Sequence, residues 1–240
     1  MAQLRMDKLL ADTGRWSRRE AKQLIREGRV FLDGHCVAAG EEKCDPEHSK
    51  ITVDGQAIGH SAYHYVMLHK PAGVLSATED RNAETVLDLL PKELQKLSLF
   101  PVGRLDKDTE GLLLLTDDGE LAHRLLSPKH HVEKVYYAQA AGLLTAAHCA
   151  AFAAGMELGD GLRCLPAKLE ILSAGETSEA LVTLREGKFH QVKRMLACCG
   201  APVVYLKRLT MGPLRLDENL QKGEWRYLTK NEEKFLLEIK

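Results

Sequence analysis

The most apolar part of the chain is a run of four leucines at residues 112–115, which is closed by Thr-Asp-Asp-Gly. A short continuous apolar run bounded by turn residues is typical of a strand that is buried on both faces and ends in a tight turn. Five charged side chains crowd the seven positions before Gly111, namely Arg104, Asp106, Lys107, Asp108 and Glu110. The pattern predicts a polar loop at the mouth of a buried strand, where chemistry is often found.

The first 58 residues alternate between short helical and short strand patterns. A helix that begins near residue 5 is expected to stop at Gly14, and residues 17–20 (Ser-Arg-Arg-Glu) form a capping box that predicts a second helix. Residues 30–37 and 51–58 each place an Asp-Gly pair between two short apolar runs. Because Asp-Gly suits a two-residue hairpin turn, these segments predict two hairpins.

Beyond a small and polar stretch at residues 59–62, short helices again alternate with strand patterns. We predict five helices, at 85–90, at 120–126, at 144–154, from His190 to Gly200, and from Thr229 onwards. We predict one strand that starts at 63 and further strands at 112–115, 165–172, 179–185, 203–209 and 224–228. The pattern predicts an α+β fold in which a module at 1–58 and a linker at 59–64 precede a domain at 65–240, with a mixed, mostly antiparallel sheet.

The composition is that of a globular chain with a local excess of positive charge. The 240 residues are 45% hydrophobic and carry a formal net charge of -1. Residues 15–29 nevertheless hold six basic side chains against two acidic ones, so the overall balance does not exclude nucleic acid as a partner. The six cysteines lack the Cys-x-x-Cys spacing of a zinc or redox site, and the adjacent His130 and His131 lack partners at ligand spacing. No apolar run reaches the length of a membrane span, which favours a cytoplasmic protein without a membrane partner.

Taken alone, Gly103-Arg104-Leu105-Asp106 is either an exposed turn or a catalytic loop. Together with Thr109 and the segment from Gly111 to Gly119, it resembles the signature of the pseudouridine synthases that modify ribosomal RNA, in the RsuA branch. In that family the Asp of Gly-Arg-Leu-Asp is the catalytic residue. The resemblance therefore implies that Asp106 is catalytic.

Two further segments resemble motifs of the same family. Lys134-x-Tyr136 matches a motif whose Tyr lies against the target base, and residues 186–195 match Glu-Gly-Arg-Tyr-His-Gln-Val-Lys-Arg-Met, with Lys188 and Phe189 as departures. His69 stands where the family usually has Asn before Lys-Pro-x-Gly. The resemblance implies four substrate-binding residues: Arg104 at a phosphate, Tyr136 at the base, and Lys193, or else Arg194, as the cation that keeps Asp106 ionised.

The N-terminal segment resembles the RNA-binding module first described in ribosomal small-subunit protein four. The matching residues are Arg5, Asp7 and Lys8, then 17–21, 28–30 and 33–34. Basic side chains on a rigid helix would contact RNA phosphates, whereas the alternative is a solvated helix face. The predicted RNA-binding residues are Arg5, Lys8, Arg18, Arg19, Lys22, Arg26 and Arg29.

The reaction that the resemblance implies needs neither a cofactor nor a metal. Pseudouridine synthases cut the bond between uracil N1 and ribose C1′, turn the base and join C5 to C1′. A carboxylate must reach the sugar, either to attack C1′ or to remove a ribose proton, and the sequence leaves both routes open. Burial would raise the pKa of that carboxylate, so a nearby cation is needed to keep it charged.

The expected partner is small-subunit ribosomal RNA, naked or in an assembling particle, and the chain is expected to act as a monomer. Residues 127–134 resemble the small-subunit enzyme more than its large-subunit relatives. The alternatives are a synthase for large-subunit RNA, a non-catalytic RNA-binding protein of ribosome assembly, and a hydrolase of glycosidic bonds. A hydrolase needs a second carboxylate to activate water, for which Asp108 and Glu110 are candidates.

Overall fold

A computed structural model of the chain describes residues 3–13, 15–46, 48–58 and 63–239. These fall into two compact units, one made of residues 1–64 with 90–99 and the other of residues 65–89 with 100–240. The predicted domain at 65–240 therefore differs from the second unit by segment 90–99, which groups with the first unit. The predicted helix stop at Gly14 and four residues of the predicted linker, 59–62, lie outside the described residues.

The first unit contains three helices and two small sheets. Its elements are β1 (Leu4–Arg5), α1 (Met6–Asp12), α2 (Arg18–Arg26), β2 (Val30–Leu32), β3 (His35–Cys36), β4 (Lys43–Cys44), β5 (Ile51–Val53), β6 (Gln56–Ile58) and α3 (Lys92–Gln95). The larger sheet has the strand order β3-β2-β5-β6, and β1 pairs with β4. Apolar side chains of α1, α2 and the larger sheet form one core, which leaves the polar side of α2 in solvent.

The predicted capping box and the two predicted hairpins of this unit are confirmed. Ser17 Oγ accepts a hydrogen bond from the Glu20 amide at 3.2 Å, and the Glu20 carboxylate accepts one from the Ser17 amide at 2.6 Å, which is the predicted capping box at the start of α2. Both hairpins turn at their Asp-Gly pairs. Asp33 adopts a φ of +48° and Gly34 one of +92°, as a turn of that type requires.

The second unit is built on a nine-stranded sheet. Its elements are β7 (Tyr65–Lys70), β8 (Phe100–Pro101), β9 (Glu110–Thr116), α4 (Gly119–Leu126), a short 3₁₀ helix (Pro128–His130), β10 (Lys134–Ala141), α5 (Ala146–Ala154), β11 (Lys168–Ser173), β12 (Thr177–Leu184), α6 (Gln191–Cys198), β13 (Val203–Met211), β14 (Leu214–Arg215), β15 (Trp225–Tyr227) and α7 (Lys230–Leu237).

The strand order of this sheet is β11-β12-β10-β13-β9-β7-β15, with β14 paired to β13 and β8 paired to β9. Only β9 and β13 pair in parallel, so the predicted mixed, mostly antiparallel sheet is confirmed. The leucine run lies in β9, between β13 and β7, and all seven residues of β9 are buried. This burial explains why the run is apolar at every position rather than at alternate ones.

Two local predictions in this unit are wrong. Residues 85–90 form turns instead of a helix, because the Asp88 carboxylate accepts hydrogen bonds from both the amide and the hydroxyl of Thr85; the helix follows only after Pro91. The Thr-Asp-Asp-Gly segment, which was predicted to be a tight turn, is the start of a helix. Asp118 caps α4 by accepting from the Leu121 amide at 2.9 Å, and it also accepts from the Tyr65 hydroxyl at 2.9 Å.

The parallel pairing of β9 with β13 depends on the glycine at position 111. Gly111 lies opposite Arg208 in the register and has a φ of +109°. A Cβ atom at this position would lie 2.2 Å from the carbonyl oxygen of Arg208 and 2.6 Å from its amide nitrogen, closer than atoms can approach. The backbones of the two central strands can therefore meet only where a side chain is absent.

We predict that Gly111→Ala lowers the free energy of unfolding by about 3 kcal/mol or more, because the clash with backbone atoms adds to the strain of a positive φ. Urea unfolding measures the change. The matched control is Gly119→Ala in the first turn of α4, where no atom lies within 4 Å of the added Cβ. That change should stay within about 1 kcal/mol of the parent. Equal stability of the two variants would refute this explanation of the β9–β13 contact.

Candidate active site

The loop between β8 and β9 carries Asp106 into a cleft of the second unit. The cleft has a volume of about 620 Å³ and is bordered by this loop, by β10, by the segment that precedes α6 and by β13. Its polar and aromatic lining includes Arg104, Asp106, Lys134, Tyr136, Lys188, Phe189, His190 and Arg208. Segments far apart in sequence therefore meet around the Asp106 carboxylate.

The ammonium group of Lys70 binds the backbone of the Asp106 loop. Lys70 ends β7 and is fully buried. Its Nζ donates towards the carbonyl oxygens of Asp106 at 3.1 Å, Lys107 at 3.3 Å and Thr109 at 2.9 Å, as well as that of Pro71 at 2.9 Å. Burial lowers the pKa of this amine to about 8, although the carboxylates nearby oppose that shift. One side chain thus fixes the backbone of three loop residues.

Hydrogen bonds from neighbouring residues complete the support of this loop. The Ser76 hydroxyl donates to the Leu105 carbonyl at 2.9 Å and accepts from the Leu105 amide at 3.1 Å. The Gly73 amide donates to the Lys107 carbonyl at 2.7 Å, and the Thr109 amide closes the loop on the Asp106 carbonyl at 3.0 Å. The backbone that carries Asp106 is therefore fixed on both sides of the residue.

Lys193 neutralises the carboxylate that the loop presents. It lies in the first turn of α6, and its Nζ is 3.1 Å from Asp106 Oδ2 and 2.5 Å from Asp108 Oδ1. Burial would lower the pKa of Lys193, but the two carboxylates outweigh it and the pKa is raised. The hydrogen bond from Lys193 in turn lowers the pKa of Asp108. The predicted meeting of Asp106 with a cation from the third motif is present in the structure.

The start of α6 is shaped by a buried glutamine. Gln191 donates to the Glu186 carboxylate at 2.8 Å and accepts from the Lys188 amide at 3.0 Å, which ties the preceding loop to the helix. His190 takes a left-handed conformation there, with a φ of 50°, and its Nε2 lies 3.5 Å from Asp106 Oδ1. The exposed ring of Phe189 stacks on the His190 imidazole with the ring centroids 3.8 Å apart.

Tyr136 forms the sheet side of the cleft. It lies in β10, opposite Val182 of β12 and Arg208 of β13, and it is buried. Tyr137 faces the other side of the sheet, as predicted, and contacts Tyr205 edge to face. The cleft therefore receives one aromatic ring from β10, next to Asp106.

The structure separates the two remaining candidates for substrate binding. Arg104 is exposed and lines the cleft beside Asp106. Arg194, the second candidate for the Asp106 partner, does not form that pair; its Nη2 is instead 2.5 Å from Asp160 Oδ1. Consecutive positions on a helix point about 100° apart, so only one of Lys193 and Arg194 can face the loop.

Both candidates for the second carboxylate of a hydrolase are already paired with other side chains. Asp108 is paired with Lys193, and its side chain is 73% exposed. Glu110 accepts from the Tyr205 hydroxyl at 2.7 Å and from Lys222 at 2.9 Å. Tyr205 contacts Tyr137, which faces away from the cleft, so Glu110 belongs to the opposite side of the sheet.

In the first unit, the predicted RNA-binding residues are all exposed. Three of them already bind carboxylates: Arg5 pairs with Asp7 and Glu41, Lys22 lies 3.7 Å from Asp7, and Arg29 pairs with Asp54. Within the described part of the chain, Lys8, Arg18, Arg19 and Arg26 have no carboxylate at ion-pair distance. Of the seven predicted RNA-binding residues, these four are the ones that no described carboxylate occupies.

Sequence reasoning missed several side chains that position the site: Lys70, Ser76, His190 and Gln191. The sequence did contain a signal for Lys70. It ends an apolar strand before Pro-Ala-Gly, and a lysine in such a buried position is rare unless its charge is paired. Nothing local marks Ser76 or Gln191, whose partners lie in other segments.

Within the described residues, no group of three or more His, Cys, Asp or Glu side chains is arranged to hold a metal ion. None of the helices described is both long and apolar enough to cross a membrane.

Comparisons with known proteins give a consistent result. Residues 64–198 match the family model described as RNA pseudouridylate synthase, and residues 4–48 match that of the S4 domain. The chain is 45% identical to the uncharacterized RNA pseudouridine synthase YtzG of Bacillus subtilis, over 95% of this chain and 96% of that protein. It is 43% identical to ribosomal small subunit pseudouridine synthase A of Vibrio cholerae, over 95% and 97%. A crystal structure of a pseudouridylate synthase aligns with a TM-score of 0.68 at 38% identity, over 97% of this chain and 99% of that one.

We predict that Lys70→Met loosens the Asp106 loop, because several buried carbonyl groups lose their donor at once. Hydrogen exchange at the Gly73 and Thr109 amides should accelerate by about tenfold or more, which corresponds to at least 1.4 kcal/mol. Lys107→Met is the matched control, since it removes an exposed charge from the same loop and should leave the exchange unchanged. Equal exchange in both variants would show that Lys70 does not hold the loop.

We also predict a pH dependence from Lys70. Its folded pKa of about 8 lies below the value near 10.4 of an unfolded lysine, so between these pH values the unfolded chain binds more protons. The contribution of this group to stability therefore rises with pH across the window, by up to about 3 kcal/mol. Urea unfolding of the parent and of Lys70→Met from pH 7 to 10.5 measures it. A stability difference that stays constant would contradict the lowered pKa.

Proposed function

The chain belongs to the RNA pseudouridylate synthase family, and from that premise we propose that it isomerises one uridine of 16S ribosomal RNA to pseudouridine. The observation that carries the proposal is the cleft in which Asp106 meets Lys193 beside Tyr136. The names of the small-subunit enzymes among its relatives support the choice of 16S RNA, and the resemblance of residues 127–134 agrees with it.

In this proposal Asp106 acts on the ribose of the target nucleotide. Its carboxylate either attacks C1′ as the N1–C1′ bond breaks, or removes a ribose proton, and in both routes uracil leaves with the electron pair of that bond. The base then turns and C5 bonds to C1′, as the carboxylate leaves C1′ in the first route or the ribose regains its proton in the second. C5 finally loses its proton and N1 gains one, so the product is an isomer of the substrate. Lys193 pairs with this carboxylate at 3.1 Å and balances its negative charge in the cleft. The base is retained and no bond energy has to be supplied from outside, so the reaction needs no cofactor.

The substrate must first leave the RNA stack, which costs a few kcal/mol. Tyr136 offsets part of this cost by stacking on the extruded base, a contact worth roughly 1 to 3 kcal/mol. Arg104, exposed at the rim of the cleft, binds a phosphate beside the target. Arg194 pairs with Asp160 and, in this proposal, does not contact the nucleotide.

We propose residues 1–58 as a separate RNA-binding module and residues 65–240 as the catalytic domain. Lys8, Arg18, Arg19 and Arg26 supply phosphate contacts, and Arg5, Lys22 and Arg29 join them where RNA displaces their present carboxylate partners. The proposed substrate is small-subunit ribosomal RNA, either free or within an assembling subunit. We therefore propose that the chain acts in the cytoplasm, and that it acts as a monomer.

We predict that Asp106→Asn lowers the rate of pseudouridine formation by on the order of a thousandfold or more, about 4 kcal/mol, while RNA affinity changes little. Asp108→Asn is the matched control: it removes an exposed carboxylate from the same loop and the same lysine, and should keep activity within about tenfold.

Mapping pseudouridine in 16S and 23S RNA from cells with and without the chain identifies the substrate. One 16S position that depends on the chain and on Asp106 supports the proposal. A chain-dependent position in 23S RNA would assign the enzyme to the large subunit, and free uracil would indicate a hydrolase. If no position depends on the chain although the protein binds RNA, it is a non-catalytic binding protein.

A further inference from the structure

Two cations in the cleft have no part in the mechanism proposed above. Lys134 is 6% exposed and Arg208 is 2% exposed, and both line the same cleft as Asp106. Positive charges are rarely buried to this extent unless they are paired, because removing a charge from water is costly. Their presence therefore requires an explanation.

The strand register places both cations next to Tyr136, Lys134 along the same strand and Arg208 across the strand pair. Arg208 lies opposite Tyr136 in the pairing of β10 with β13, and Lys134 precedes Tyr136 by two residues on the same strand. Residues two apart on a strand, and residues directly opposite across a pair, share one face of the sheet. Lys134, Tyr136 and Arg208 thus form one patch on the cleft side.

The hydrogen bonds of this pair leave donors without acceptors. Arg208 Nε donates to the Leu112 carbonyl at 2.8 Å, but its Nη2 is buried without a partner among the described residues. Lys134 Nζ donates to the Val132 carbonyl at 3.0 Å. Within residues 63–239, no carboxylate lies at ion-pair distance from either cation. Burial, and then the charge of Arg208, lower the pKa of Lys134 to about 8.

Three other cations of the same unit, the buried Lys70 and the half-buried Arg226 and Lys193, have acceptors for their charges. The ammonium of Lys70 has four carbonyl oxygens around it, and Arg226 pairs with both Asp217 and Glu232. Lys193, in the same cleft, has two carboxylates. Lys134 and Arg208 are different because their charges repel each other, no described carboxylate is paired with either one, and both residues line the cleft. The missing partner is therefore an anion.

We propose that Lys134 and Arg208 form an anion site that binds a phosphodiester group next to the extruded uridine. The proposal rests on the proposed function, since the RNA supplies the phosphate. A guanidinium with an unused Nη donor suits the non-bridging oxygens of a phosphate, and the second cation adds charge. A phosphate held on one side of Tyr136 would fix the backbone while the base stacks on the ring. Arg104, which is exposed at the rim, would bind a different phosphate.

The first experiment uses inorganic phosphate as the probe and needs no knowledge of the RNA. Phosphate replaces chloride at constant ionic strength, and the thermal unfolding midpoint of the full chain is recorded. We expect a rise of about 3 °C for the parent and at most half of that for Lys134→Met. Lys207→Met is the matched control: it removes a cation from the neighbouring position of β13, on the opposite face, and should respond as the parent does.

The second experiment measures RNA binding rather than turnover. The two phosphates that flank the target uridine are replaced, one at a time, by uncharged methylphosphonates. For the parent and Lys207→Met, one replacement should weaken binding by about tenfold. Lys134→Met should bind the unmodified RNA about tenfold more weakly than the parent does, and the methylphosphonate at that position should not weaken its binding further. The slope of log affinity against log salt concentration should be smaller by about one for this variant. Arg208→Lys, which keeps a cation but removes the fork of donors, should give a partial loss.

If Lys134→Met and the methylphosphonate each weaken RNA binding and their effects multiply, the anion site is overturned, even if the chain makes pseudouridine. The same holds if neither methylphosphonate weakens the binding of the parent. An equal response of the parent and Lys134→Met to inorganic phosphate would overturn it as well. A phosphate response that depends on Lys134, in a chain that isomerises no RNA, would keep the site and reject the proposed function instead.

Discussion

The buried ammonium group of Lys70 is the interaction on which the site depends. It is fixed at the end of β7 and binds the carbonyl oxygens of residues 106, 107 and 109, so the strand that lies beside β9 also fixes the loop that enters β9. A loop with this many charged side chains would otherwise be mobile in water, because it buries little apolar surface of its own. Lys70 instead makes its backbone part of the protein interior, and only its side chains remain to meet a substrate.

The charges of the cleft then divide into two sets with different tasks. Lys193 neutralises carboxylates, since it lies between Asp106 and Asp108 and pairs with both. Lys134 and Arg208 have no such partner among the described residues, so they provide positive charge that an RNA phosphate can use. The same side of the sheet also supplies Tyr136 next to them. The cleft thus brings together a carboxylate, an aromatic ring and unpaired cations, which in the proposed mechanism meet the sugar, the base and the backbone of one nucleotide.

Much of the fold follows from the sequence because its causes are local. The leucine run predicts a doubly buried strand, Ser17 and Glu20 predict a helix start, and the Asp-Gly pairs predict the hairpin turns; each depends on residues close in sequence. The segment 85–90 was predicted wrongly because the Asp88 side chain competes for the backbone that a helix would use. The resemblance predicted that Asp106, Tyr136 and Lys193 meet, which no local pattern could show. Neither source indicated that Lys70, Ser76 and Gln191 position the loops, since their roles exist only through contacts between distant segments.

The central claim is that a loop fixed by Lys70 presents the Asp106 position to the ribose of an extruded uridine. A crystal structure of the Asp106→Asn variant with its target RNA tests this most directly. The claim predicts that the side chain at position 106 lies within about 3.5 Å of ribose C1′ or of the ribose proton to be removed, with the base against Tyr136 and Lys193 beside the loop. A structure in which the uridine stays stacked in the RNA, or in which position 106 faces away from the sugar, would contradict it.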